Sequence, residues 1–266
     1  MEIENIRDLD DLVFEEFQIY FPKISSSKFK EKYPITLKLS ILFTTSTNFI
    51  KNSIFDCSEN DDLFGAKILF RSLIEHFLRF KYVWFNWAKY KDDDCARKYL
   101  EFNEAREILD SLKSEIDKYK LMNPDFQVSS WSELLDKFPN MKNLSKKEIE
   151  EETLKYTYKN IIKFIQQTIK NQEVPLLGSL ILEYSKLSSF VHGGIGAHQE
   201  LLTFNNEKDR VKEYERICGL SFQIASSVKL FSLLMIVQTD SNEFDKSYLV
   251  IDNLMKRINK TSPNNS

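Results

Sequence analysis

The sequence predicts an all-α fold, and three observations predict it. Gly and Pro number six each in 266 residues, about a third and a half of ordinary usage, which leaves few residues for the many tight turns of an all-β protein. Apolar residues recur at steps of three and four over long stretches, the period of a helix packed on one face. Ser-x-x-Glu patterns, which cap helix starts, stand where new periodic segments begin. Together they predict a single helical bundle of about eight helices over residues 1–260, with a charged helical lobe at 92–150 and a disordered tail at 261–266.

Residues 3–20 read as a first amphipathic helix closed by Pro22. A polar loop, KISSSKFKEKYP, leads to a second helix at about 36–56, where clustered Thr and Ser lower the intrinsic propensity. Asp61 or Asp62 is placed to cap the third, 63–90. In it Ala66, Phe70, Leu73, Phe77, Phe80, Trp84 and Trp87 alternate steps of four and three, and Leu63, Ile68, Ile74, Leu78 and Val83 cover other sides. A helix apolar nearly all round belongs at the centre of its fold. Asp94 is the expected cap of a charged helix at 95–121, ended by Asn123-Pro124. Ser130-x-x-Glu133 and Ser145-x-x-Glu148 open the next two, the second running to about 171. Pro175 suits the first turn of a helix at 175–192, which ends at Gly193, Gly194 and Gly196. After a polar loop a long helix spans roughly 206–238, and Asp240 or Asn242 starts a last one ending near 259.

Composition narrows the function classes. The net charge of −3 comes from 37 basic and 40 acidic residues, mostly intermixed. No long basic run supports broad electrostatic capture of nucleic acid, which leaves only a local patch for RNA. Cys57, Cys95 and Cys218 are odd in number and lack a C-x-x-C pair, so they read as reduced thiols rather than a disulfide scaffold or zinc site. The acidic start, MEIENIRDLDD, is unlike a secretory signal. The apolar stretch at 218–237 is long enough to span a bilayer but carries Gln223, Lys229 and several serines, the pattern of a buried helix. A cytoplasmic protein without a membrane span is expected.

The chain holds no H-E-x-x-H, Walker-A, C-x-x-C or G-x-S-x-G motif. HGGIGAH contains G-G-x-G but follows a helix, so it reads as a helix C-cap. Two constellations stand out. Arg71 and Glu75 lie four apart on the central helix. Tyr184, Ser188 and His192 recur at steps of four on 175–192, in line with Leu177 and Ile181. Buried polar groups need partners, so the two sets are expected to meet across a helix interface. They either form a network that only fixes helix register or line a cleft. In a cleft, His192 at a helix end would be favoured as the cation, an Arg would steady an oxyanion or phosphate, and Tyr184 and Ser188 would orient it. His76 reads as a surface or rim histidine. His192 and His198 lack acidic or Cys neighbours, so neither a metal nor another cofactor is expected. Trp84, Trp87 and Trp131 read as packing residues, and Asp92, Asp93 and Asp94 as a solvated loop with a cap.

Arg71-Ser-Leu-Ile-Glu75, Trp131 in SSWSELLDKF, and YSKLSSFVHGG come in this order. Over residues 40–240 the chain resembles an uncharacterised bacterial family of all-helical domains with R-x3-E and Y-x3-S-x3-H helices, some encoded near mobile elements and phage-defence genes. More distantly it is similar to HEPN domains, helical bundles many of which are metal-independent ribonucleases that act as dimers through an R-x4-6-H motif. Lys186 stands six before His192 where that motif has Arg. The resemblance implies His192 as acid/base, with Arg71 or Lys186 on the phosphate and the RNA 2′-hydroxyl as nucleophile. The resulting expectation is a HEPN-like ribonuclease or toxin-type effector in bacterial anti-phage defence, with RNA and a homodimer or protein partner. The alternative is a non-catalytic helical module binding a protein or small ligand through the groove near Glu75 and His192.

Overall fold

The computed structural model describes residues 2–24, 26–123, 125, 130–170, 175–239 and 241–261. It is all-helical, with no strand among those residues. The helices are α1 (Ile3–Ile24), α2 (Lys28–Lys32), α3 (Pro34–Glu59), α4 (Leu63–Tyr90), α5 (Asp94–Met122), α6 (Ser130–Lys137), α7 (Lys146–Lys155), α8 (Tyr158–Thr168), α9 (Pro175–Lys186), α10 (Ser188–Val191), α11 (Ile195–Thr203), α12 (Glu207–Val237) and α13 (Ser241–Thr261). Of the tail expected at 261–266, Thr261 is helical, at the end of α13; residues 262–266, the Pro124 stop and the Asp240 cap lie outside the described residues, as does the Asn242 side chain.

The helices outnumber the eight expected, because two segments expected as loops fold into helices and two expected helices break. The first is the polar KISSSKFKEKYP stretch, which carries α2, capped by Ser27 through the Lys30 backbone N–H. Its predecessor α1 runs past Pro22 to the buried Ile24. The second is the predicted helix from 145, which is interrupted at Tyr156 and Thr157. There the Leu154 carbonyl accepts from the Thr157 backbone N–H and, at 2.8 Å each, from Thr157 Oγ1 and Asn160 Nδ2. The third break falls at Leu187, between α9 and α10. The fourth segment, IGAHQELLT, expected as loop, is α11.

The core is built round α4 and α12. The latter packs on α1, α3, α4 and α13, and α4 also carries α5, α8, α9 and α10. By length and composition α12 could cross a membrane, yet 72% of its most apolar window is buried inside the fold. Helices α6 and α7 rest on α5 instead of on this centre, so the arrangement is more than the single bundle expected.

Caps fix the ends that frame the site. Asp62 accepts from the Gly65 N–H at 2.8 Å and starts α4 where the sequence placed it. A Cβ at Gly65 would lie 2.2 Å from the Asp62 carboxylate, so a larger residue there would make the capping side chain shift. Asp62→Ala should cost about 1 kcal/mol in urea unfolding, the usual worth of such a cap. Asp94, by contrast, is the first residue of α5 and not its cap. Its neighbour Asp93 turns away to accept from the Ile35 and Thr36 N–H groups, both at 2.9 Å, and from Thr36 Oγ1 at 2.6 Å. The carboxylate thus caps α3 from 57 residues away, and ties the start of α3 to the turn between α4 and α5.

Candidate functional site

Three of the five residues singled out from sequence converge. Tyr184, on α9, accepts a 2.8 Å hydrogen bond from Arg71 Nη2 and donates to Glu75 Oε2 at 3.3 Å. The Arg71 guanidinium also lies over the Tyr184 ring, 4.3 Å from its centroid. Tyr158 of α8 stacks on that ring at 3.5 Å and an interplanar angle of 19°. Burial, helped by the Glu75 carboxylate, raises the Tyr184 pKa, so its hydroxyl stays protonated and available to donate.

Glu75 is the hinge of this array. Its Oε1 takes a 2.6 Å hydrogen bond from Arg79 Nη2, and its Oε2 lies 3.9 Å from Arg71 Nη1. Arg79 then reaches α5, donating through Nη1 to Asn103 Oδ1 at 3.1 Å and to Tyr99 Oη at 3.5 Å. Burial works against the Arg79 charge, but Tyr99 and Glu75 outweigh it and its pKa rises. The ladder Arg71–Glu75–Arg79 thus pins α4 to α9 on one side and to α5 on the other.

Beside it, between α3, α4 and α5, opens a cleft of about 490 Å³. Its apolar walls are Leu39, Leu42, Phe43 and Leu100, and its polar lining includes Glu75, His76, Arg79, Asn103 and Glu107. Helix spacing explains the α4 wall: Ser72, His76 and Arg79 follow at steps of four and three, one face of one helix.

The remaining sequence candidates sit elsewhere. Ser188 is the half-buried first residue of α10, Lys186 is exposed, and His192 is an exposed C-cap. Neither Ser188 nor His192 hydrogen-bonds through its side chain to Arg71, Glu75 or Tyr184. The physical reason is the break at Leu187. Steps of four make a stripe only on an unbroken helix, and here the buried Leu187 and Phe190 redirect the chain. Phe190 packs on Phe64 at the start of α4, with ring centroids 5.7 Å apart. Phe64 and Glu75 are roughly 16 Å apart along that helix. The aligned dipoles expected behind His192 are those of a single turn, because α10 spans four residues.

His76, read as a rim residue, forms part of the cleft wall, with Nδ1 2.9 Å from the Ser72 carbonyl. Arg79 was missed, although Glu75 followed by Arg79 is the favourable order for an i,i+4 ion pair. Asn103, Glu107 and Tyr158 had no sequence signal, since only the fold brings α5 and α8 against α4. Trp131 is partly buried against the core as expected. Among the described residues no group of three His, Cys, Asp or Glu side chains is placed to hold a metal ion.

The model of a family of unknown function, DUF5677, matches residues 38–209, a span from α3 to the first turn of α12 that contains the whole ladder, the cleft and His192. No curated protein and no solved structure matches the chain.

Proposed function

The chain belongs to the DUF5677 family, and from its own residues we propose that it is a non-catalytic helical module that binds a small ligand in the cleft beside Glu75. One observation carries this reading: a cleft of about 490 Å³ with an apolar floor and a few converging polar groups, which falls in the size range of small-molecule sites. The charged groups beside it are held by one another. Both Glu75 oxygens are engaged by Arg79 and by Arg71 with Tyr184. That suits a rigid recognition wall better than an acid or base with a proton to move.

A second reading, a metal-independent ribonuclease or toxin-type effector of bacterial defence, draws on a different observation. His192 and Lys186 are both exposed, as a site for a long RNA would require. One pair of experiments separates the two. In a thermal-shift screen of small metabolites, a ligand at a hundred times its Kd should add about 2.7 kcal/mol of stability. Ser46→Trp, which projects an indole into the cleft, should abolish that shift. A compound that stabilises Ser46→Trp equally would remove the cleft from the account. In parallel, purified protein is incubated with RNA in the presence of a chelator. Cleavage that drops about 10²–10⁴-fold in His192→Ala would establish the ribonuclease, and absence of cleavage by the wild type is the result the binding module expects.

A further inference from the structure

We infer that the cleft takes a small organic cation, an ammonium group on a compact apolar body; this rests on the binding reading above and names its ligand class. Most hydrogen-bonding groups of the cleft are already committed to one another. Arg79 has three of its five donor hydrogens committed, to Asn103, Tyr99 and Glu75, and it shares the Glu75 carboxylate with Arg71. The Asn103 amide is used at both ends: its oxygen accepts from Arg79, and its Nδ2 donates to Glu107 Oε1 at 2.9 Å.

Besides the hydroxyls of Ser46, Ser72 and Tyr99, which can donate as well as accept, two pure acceptors are left. The second carboxylate oxygen of Glu107 has no partner among the described residues. His76 is the other. The carbonyl of Ser72 can only accept, so the proton of the neutral imidazole sits on Nδ1, and Nε2 keeps its lone pair without a partner among the described residues. No lysine lines the cleft.

A carboxylate and an imidazole lone pair both call for a donor, and an ammonium offers three donors and no acceptor. The aromatic lining agrees with a cation. Phe43 and Tyr99 both line the cleft, their ring centroids 6.0 Å apart, and aromatic rings attract positive charge. Leu39, Leu42 and Leu100 supply the surface for the apolar body. An anionic ligand of the same shape would meet the Glu107 carboxylate instead, with the Arg79 Nη2 already bound to Glu75.

The test uses three probes of one shape: benzylammonium, benzyl alcohol and benzoate. Each is titrated into the protein, with affinity read by calorimetry and the site by chemical-shift changes on α3, α4 and α5. A charge-assisted hydrogen bond predicts that benzylammonium binds about tenfold or more tighter than the alcohol, with benzoate weakest. Glu107→Gln keeps an acceptor for Asn103 and removes the charge together with the free carboxylate oxygen, and should erase most of that tenfold preference. Benzoate or the alcohol matching the ammonium would overturn the proposal, as would an unchanged preference in Glu107→Gln. Failure of all three probes, with a different compound bound in the cleft, would overturn the ligand class while leaving the module reading intact. Failure of the probes together with the whole metabolite screen would remove both.

Discussion

Asp10→Ala should destabilise the fold by about 3–5 kcal/mol, the cost of removing one partner of a buried ion pair. Asp10 is the carboxylate in a core cluster that also holds Lys51, Asn48 and Lys229. Lys51 and Lys229 are each 1% exposed. Lys51 pairs with Asp10 and lies 3.2 Å from Asn48 Oδ1, and Lys229 donates to that same oxygen at 2.9 Å. Two amines therefore share one carboxylate. Burial pushes the Lys229 pKa down to about 8, with the neighbouring Lys51 adding to the effect, and burial lowers Lys51 as well. Without Asp10, Lys51 must lose its proton or remain an uncompensated buried charge. Urea unfolding followed by circular dichroism measures the loss. The double variant Asp10→Leu/Lys51→Met should recover most of it, because matched apolar replacements of a buried pair are often neutral or better. A single-variant loss below about 1 kcal/mol, the level of an exposed pair, would show that water reaches the cluster.

Nothing in the sequence hints at that cluster, and the reason is general to this chain. What could be read was local. The bounds of α4 were legible because Asp62 precedes a run alternating steps of three and four, and Ser145 with Glu148 forms the capping box that its spacing promised. What could not be read depends on residues far along the chain. Three consecutive aspartates announce a cap but not whose N–H groups it serves, and Asp93 serves α3. Leu187 carries no helix-breaking signal; the chain turns there because Leu187 and Phe190 both find buried positions.

The candidate site divides along the same line. Arg71, Glu75 and Tyr184 were legible as polar residues on otherwise apolar helices, which must find partners, and they find one another. Ser188 and His192 were added by extending a stripe through a helix that does not continue. The α5 half of the cleft was invisible, since Asn103 and Glu107 look like any other residues on a charged outer face. Only the approach of Arg79 distinguishes Asn103.

Lys81→Met should raise stability at neutral pH and flatten its dependence on pH. Lys81 is 6% exposed, and its Nζ lies 3.3 Å from the Phe231 ring centroid, with Trp84 at 4.8 Å, Phe85 at 5.2 Å and Phe77 at 5.8 Å. Ring faces favour a cation by roughly 0.5–2 kcal/mol, less than burial takes away, and the pKa falls from 10.5 to about 7. The sign follows from proton counting. Between these two values the unfolded chain holds a proton that the folded chain has released, so stability rises with pH. The penalty is complete below pH 7 and gone above 10.5. Burial also raises Cys218 to about 11 and Cys95 to about 12 from 9.0. Unfolded thiols therefore ionise first above pH 9 and offset the lysine gain there. The informative window is pH 7–9, in which Lys81 alone should add about 2 kcal/mol at 1.36 kcal/mol per unit, with Lys229 joining from about pH 8. Urea midpoints at pH 7, 8 and 9 should climb in the wild type and climb less in Lys81→Met, with the variant ahead at pH 7. Equal slopes in the two proteins would mean that the Lys81 ammonium stays solvated inside its ring of aromatics and pays no burial penalty.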